Sequence, residues 1–98
     1  MYQLKQTDTF ASWLAGLRDN KAKARIVSRL DSVRLGNLGD CKSVGAGIRE
    51  LRVHVGPGYR VYFKQRNKLM IVLLCGGSKS EQAKDIERAK QLALEIEE

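Results

Sequence analysis

Apolar positions in this chain switch between two periods. Residues 2–6 alternate weakly, the two-residue period of a short strand. Phe10, Trp13, Leu14 and Leu17 then recur at helical spacing. Thr7 or Asp8, just ahead of them, can accept from the free amides of a first helical turn. Arg18-Asp19-Asn20 interrupts the pattern, and Asp19 or Asn20 can cap a second helix to about Leu35. Its core stripe is Ala22, Ile26, Leu30 and Val33; Lys21, Lys23, Arg25, Arg29 and Arg34 lie around the rest. Gly36 is placed to end it in a left-handed turn.

Residues 36–47, with Gly36, Gly39, Gly45 and Gly47, read as a loop. Three strands follow, at 48–55, 59–65 and 69–75. The third is apolar on both faces, which predicts an interior strand covered on both sides. Gly76-Gly77 is expected to break it, and Ser78 to open a capping box with Glu81. Ala83, Ile86, Ala89, Ala93 and Ile96 form the stripe of a last helix. The order βααβββα predicts one α+β domain over residues 1–98, with a small, mainly antiparallel sheet.

The hairpin of residues 52–66 carries the chemistry. Leu51, Val53 and Val55 share one face with Tyr59, Val61 and Phe63. Glu50, Arg52 and His54 share the other with Arg60, Tyr62 and Lys64. Matching apolar to apolar pairs Val53 with Val61 and Leu51 with Phe63, around a three-residue Gly56-Pro57-Gly58 turn. That register sets His54 against Arg60, Arg52 against Tyr62 and Glu50 against Lys64. Three cations on one face repel one another unless an anion sits among them. With a turn at Arg66-Asn67-Lys68, Arg60 falls near Leu74, and Lys79 comes to the same end of the sheet. Helix amides there also favour an anion.

Charge sharpens this picture. Residues 1–80 hold 15 basic and 5 acidic side chains, hence +10, and residues 81–98 hold 3 and 6, hence −3; the whole chain is +7. A basic domain of this size favours a polyanionic partner. With 43% apolar and 30% charged residues it fits a soluble globular class. No apolar run approaches the ~20 residues needed to span a membrane, and the N-terminus lacks the apolar stretch of a signal peptide. A cytoplasmic protein is expected, with Cys41 and Cys75 as free thiols. There is no CxxC, no cysteine–histidine cluster and no carboxylate cluster for paired metal ions, so neither a metal nor a cofactor is expected. RNA cleavage without metal uses the 2′-hydroxyl as nucleophile. It needs a base, cations on the charge building at phosphorus, and a proton for the leaving oxygen. His54 or Tyr62 fit the proton work; Arg52, Arg60 and Lys79 fit the phosphate.

Three segments carry a family resemblance: Gly47-Ile-Arg-Glu-Leu-Arg52, Gly56-Pro-Gly-Tyr-Arg-Val-Tyr62, and Leu73-Leu-Cys-Gly-Gly-Ser-Lys-Ser-Glu-Gln82 followed by Asp85-Ile86 and Ala89. Together they resemble the RelE/ParE superfamily of type II toxin–antitoxin toxins, most closely the HigB-like "addiction module killer protein" branch. The resemblance implies a βααβββα, microbial-ribonuclease-like fold and a toxin that cuts messenger RNA on the ribosome, inhibiting translation. It implies a monomeric free toxin and a hetero-oligomeric complex with a cognate antitoxin of helix-turn-helix type, with no membrane partner. Carried over by motif, Arg52, His54, Arg60 and Lys79 are the catalytic candidates. Arg49, Tyr62, Lys64 and Gln82 are the candidates for nucleic-acid binding. Glu50 departs from the pattern, standing where some members have lysine, and no histidine or tyrosine follows Tyr62. The same fold also serves gyrase inhibitors and non-catalytic RNA- or partner-binding domains; the basic face favours RNA.

Overall fold

The computed structural model describes residues 1–96. Its elements are β1 (Gln3–Gln6), α1 (Asp8–Gly16), α2 (Asn20–Arg34), β2 (Cys41–Gly45), β3 (Ile48–Val53), β4 (Tyr59–Gln65), β5 (Met70–Ser78), a 3₁₀ turn (Lys79–Glu81) and α3 (Gln82–Ile96). The strands form one sheet in the order β1-β5-β4-β3-β2, antiparallel except for the β1–β5 pair. α1 and α2 cover one face and α3 the other. This is the α+β architecture expected, with one strand more. No described helix is long and apolar enough to cross a membrane.

The helix starts follow the capping residues. Thr7 Oγ1 accepts from the Phe10 amide at 3.0 Å and donates to the Leu74 carbonyl at 2.6 Å, so one hydroxyl both opens α1 and ties it to β5. Asp19 Oδ1 accepts from the Lys21 and Ala22 amides at the start of α2. The expected stripe Ala22, Ile26, Leu30 and Val33 is the buried face of α2. Ile26, Leu30 and Val33 of this stripe pack with Phe10, Leu51, Val53, Val61, Phe63, Ile71 and Leu73. A second, smaller core under α3 joins Ile48, Tyr62, Val72, Leu74, Cys75, Ala89 and Ala93. Burial on that face pushes the Cys75 thiol up to about 12, and both cysteines are free.

The central hairpins differ from expectation in four ways. Residues 41–45, read as loop, form β2, which pairs with β3 across Ala46-Gly47. Both turn residues have positive φ (55° and 76°), the twist that a two-residue hairpin requires. An alanine there hides the usual Asn-Gly signal. The β3–β4 register is shifted two residues from the one expected: Leu51 faces Val61, Arg52 faces Arg60 and Glu50 faces Tyr62. The loop therefore spans five residues, 54–58, and β3 ends at Val53. The β4–β5 register lies two residues further along β5 than expected, with Gln65 facing Ile71, and Leu74 is an extra residue between the Tyr62–Cys75 and Phe63–Leu73 pairs; together these set Arg60 against Gly77 and not Leu74.

Gly76-Gly77, finally, does not break β5, which runs on to Ser78. These glycines provide space. A Cβ on Gly76 would overlap the Trp13 ring, and one on Gly77 would overlap the Asp85 carboxylate. Trp13 in turn stacks against Phe10 and Tyr59, at 5.8 and 6.1 Å between ring centres. Ser78 makes no capping bond; its hydroxyl meets that of Ser80, and α3 starts only at Gln82. Gly76→Ala should lower stability by roughly 1–3 kcal/mol, the range for overpacking. Gly16→Ala, at a helix end with open space around it, should be neutral or stabilising by up to about 1 kcal/mol. Urea titration of the two variants checks the opposite signs.

Candidate functional site

β3 and β4 present two arginines directly opposite each other, Arg52 and Arg60, on the face that α3 partly covers. Like charges in that relation destabilise a strand pair. Glu50, two residues before Arg52 on the same face, supplies the missing anion. Its Oε1 lies 3.5 Å from Arg52 Nε and 3.6 Å from Arg60 Nη1, ion-pair distances longer than hydrogen bonds. Its Oε2 accepts from the Tyr62 hydroxyl at 3.0 Å and from Gln82 Nε2 at 2.7 Å. Glu50 has no exposed surface and the Arg60 side chain only 10%, whereas Arg52 keeps 30%. A carboxylate buried this way is tolerated because both oxygens face cations or donors.

This arrangement corrects the reading of Tyr62. The side chain lies wholly inside, and its hydroxyl donates to Glu50. Burial, and then the adjacent Glu50 charge, push its ionisation far above the ordinary phenol range. It is a fixed donor with no surface to offer RNA and no proton to exchange near neutral pH. Asp85, at the start of α3, is also buried, and its carboxyl is pushed up by that burial.

His54 lies just beyond β3, where the chain turns and the Val55 amide reaches back to the Val53 carbonyl at 3.0 Å. The ring does not meet Arg60. Its Nε2 lies 2.5 Å from Asp40 Oδ2, and it is 71% exposed. Asp40 precedes β2; its carbonyl accepts from the Arg52 amide and its Oδ1 lies 3.9 Å from Arg52 Nε. The contact with His54, aided by Arg52 and Arg29, holds the Asp40 carboxyl below its usual range against the opposing effect of burial. The result is a row across the sheet, His54, Asp40, Arg52, Glu50, Arg60, in which two carboxylates alternate with an imidazole and two guanidinium groups.

The other expected residues are dispersed. Lys79 is exposed and its amide donates to the Gly58 carbonyl at 2.7 Å, which places it at the same end of the sheet as the 54–58 loop. Gln82 is joined to the row through Glu50. Lys64 faces Ile48, four residues from Arg60 along β4. Arg49 is exposed and alternates onto the opposite face of β3. Asp40 escaped the sequence reading because β2 did; once Cys41 is placed opposite Leu51, Asp40 falls beside Arg52. Among the described residues no three histidine, cysteine or carboxylate side chains come together to hold a metal ion.

Removing the anion should be costly. Glu50→Ala leaves two arginines facing each other inside the protein, and a loss of about 3–5 kcal/mol is expected. Tyr62→Phe, which removes one donor from a charged acceptor, should cost about 1.5–3 kcal/mol. Chemical denaturation measures both; equal, near-zero losses would show that the network is not a stabilising centre.

No family model matches the chain. An uncharacterised protein of Haemophilus influenzae is 53% identical over 94 residues, which cover 96% of this chain and 95% of that protein. Among solved structures, YafQ from Escherichia coli BL21(DE3) superposes with a TM-score of 0.56 at 12% identity, over 84% of this chain and 98% of that one. A chain of the intact E. coli RelBE toxin–antitoxin complex gives 0.54 at 16% identity, over 80% and 96%. HP0894 from Helicobacter pylori gives 0.53 at 19%, over 84% and 99%. Identities this low speak for the fold alone. The chain belongs to one family with the Haemophilus influenzae protein, and it has the fold of YafQ and of the RelBE chain.

Proposed function

We propose that this protein is the toxin of a type II toxin–antitoxin pair, of the HigB-like branch, and that it cuts messenger RNA on the ribosome without a metal ion. The observation that carries the reading is the row His54–Asp40–Arg52–Glu50–Arg60. It puts an exposed imidazole, in contact with a carboxylate, beside two guanidinium groups fixed by a buried anion. A phosphodiester needs cations that are already in place, and Glu50 holds Arg52 and Arg60 in place before any substrate arrives. The imidazole is the proton acceptor for the attacking 2′-hydroxyl, with Lys79 as a further phosphate contact. The net charge of +7 supports a polyanionic substrate. RelBE is a toxin–antitoxin complex, and by analogy of fold a cognate antitoxin covers the same row, in the cytoplasm, without any membrane partner.

His54→Gln separates chemistry from folding, because the side chain is mostly exposed. We expect unchanged thermal stability and a drop in RNA cleavage of about 10²- to 10⁴-fold. Inducing the wild type in bacteria and mapping messenger RNA ends checks the activity itself. Growth arrest with intact messages and trapped gyrase–DNA complexes would instead identify a gyrase inhibitor.

A further inference from the structure

Asp40 stands outside the row that the hairpin sequence provides, yet it touches two of its members. Its Oδ2 meets His54 Nε2 and its Oδ1 approaches Arg52. A carboxylate only accepts hydrogen bonds, so the proton between them belongs to Nε2. The other ring nitrogen, Nδ1, has no hydrogen-bond partner among the described residues. The ring borders a groove of about 220 Å³ that it shares with Arg25, Arg29 and Val53.

The segments that carry this pair are fastened together by one residue. Arg29, on α2, donates to the carbonyls of Leu38, Asp40 and Arg52, the first two at 3.0 and 3.4 Å. The carbonyls of Leu38 and Asp40 belong to the segment before β2, and that of Arg52 lies two residues ahead of His54 on β3. Gly39 leaves room for this clamp: a Cβ there would press to 2.9 Å on Arg29 Nη2. One side chain thus ties the segment of Asp40 to the strand that leads into His54. An exposed ion pair by itself contributes little to stability, so stability alone gives no reason for such an anchorage.

We propose that Asp40 and His54 form an acid–base dyad, with Asp40 as its positioning residue and a ribose 2′-hydroxyl as the group on which it acts. The inference rests on the RNA-cleaving reading. Asp40 holds the ring as the Nε2–H tautomer and stabilises the imidazolium; Nδ1 takes the 2′-hydroxyl proton. The 2′-oxygen bonds to phosphorus, the bond from phosphorus to the 5′-oxygen breaks, and that oxygen takes a proton from water. The products are a 2′,3′-cyclic phosphate and a free 5′-hydroxyl, and the imidazolium returns its proton to solvent. Arg25 and Arg29 from α2, Arg52 from β3 and Asp40 are the charged groups around the ring.

The test uses the full chain in two arms. The first needs no RNA: carboxyl-carbon NMR should show Asp40 titrating below the ordinary aspartate range in the wild type and moving back up in His54→Gln. An unchanged Asp40 titration would mean that the pair does not exist in solution. The second is a double-mutant cycle on cleavage of a labelled RNA. Asp40→Ala should lower kcat about 10²-fold with KM within about twofold, as expected of a group that acts only at the transition state. On the His54→Gln background the same change should cost nothing further. Full cleavage by Asp40→Ala, or the same loss on both backgrounds, overturns the dyad while leaving the RNA reading intact. A wild type that does not cut RNA, yet shows the depressed Asp40 titration, overturns the RNA reading and leaves the pair without this substrate.

Discussion

The fold and the candidate site depend on one buried carboxylate. Glu50 sits in the middle strand pair, without exposed surface, where two arginines would otherwise meet face to face. Removing a charge from water costs several kcal/mol, and Coulomb attraction recovers that only with close, well-directed partners. Here the partners come from three elements: Arg52 on β3, Arg60 and Tyr62 on β4, and Gln82 at the first residue of α3. The carboxylate therefore joins the sheet to the helix that covers it. It also leaves the exposed part of Arg52 oriented toward solvent. The fixed cations and the docking of α3 have a common cause.

That cause extends to the glycine pair before α3. Glu50 can be reached by Gln82 only if α3 lies close to β5, and Gly77 lets the Asp85 side chain settle directly on the strand. Gly76 does the same for Trp13 on the opposite face. Adjacent residues of one strand thus allow close approach from both layers. The Leu74 bulge adds to this. It turns both Leu74 and Cys75 into the α3-side core and offers the Leu74 carbonyl to Thr7, which starts α1.

The helices were legible in the sequence because their signals are local. Thr7, Asp19 and the stripe Ala22, Ile26, Leu30 and Val33 each act within a turn or two of their own position. The hairpin faces were legible too, since alternation alone assigns Arg52 and Arg60 to one side. Register was not. Shifting β3 against β4 by two residues keeps every side chain on its face, and the expected apolar pairs Val53–Val61 and Leu51–Phe63 are as good as the observed Leu51–Val61 and Val53–Tyr59. Gly56-Pro57-Gly58 has the composition of a complete three-residue turn, yet the loop it belongs to is five residues long. Asp40 was lost for a related reason. Its place is set by β2, whose pairing rests on a turn with alanine at positive φ, and by Arg29, which arrives from a distant helix.

The polar row itself decides the register that apolar pairing leaves open. In the expected alignment Glu50 would face Lys64, and Arg52 would face Tyr62, so Tyr62 and Gln82 would no longer converge on one carboxylate. In the observed alignment Glu50 faces Tyr62 directly and meets both arginines diagonally or along its own strand. Buried polar groups discriminate between packings more sharply than apolar ones, because an unmet charge costs far more than a suboptimal methyl contact. The residues that hold Arg52 and Arg60 in place are then the same ones that select a single strand pairing. Substituting Glu50 by an apolar residue of similar volume would free the arginines and remove the polar preference for the observed alignment at once.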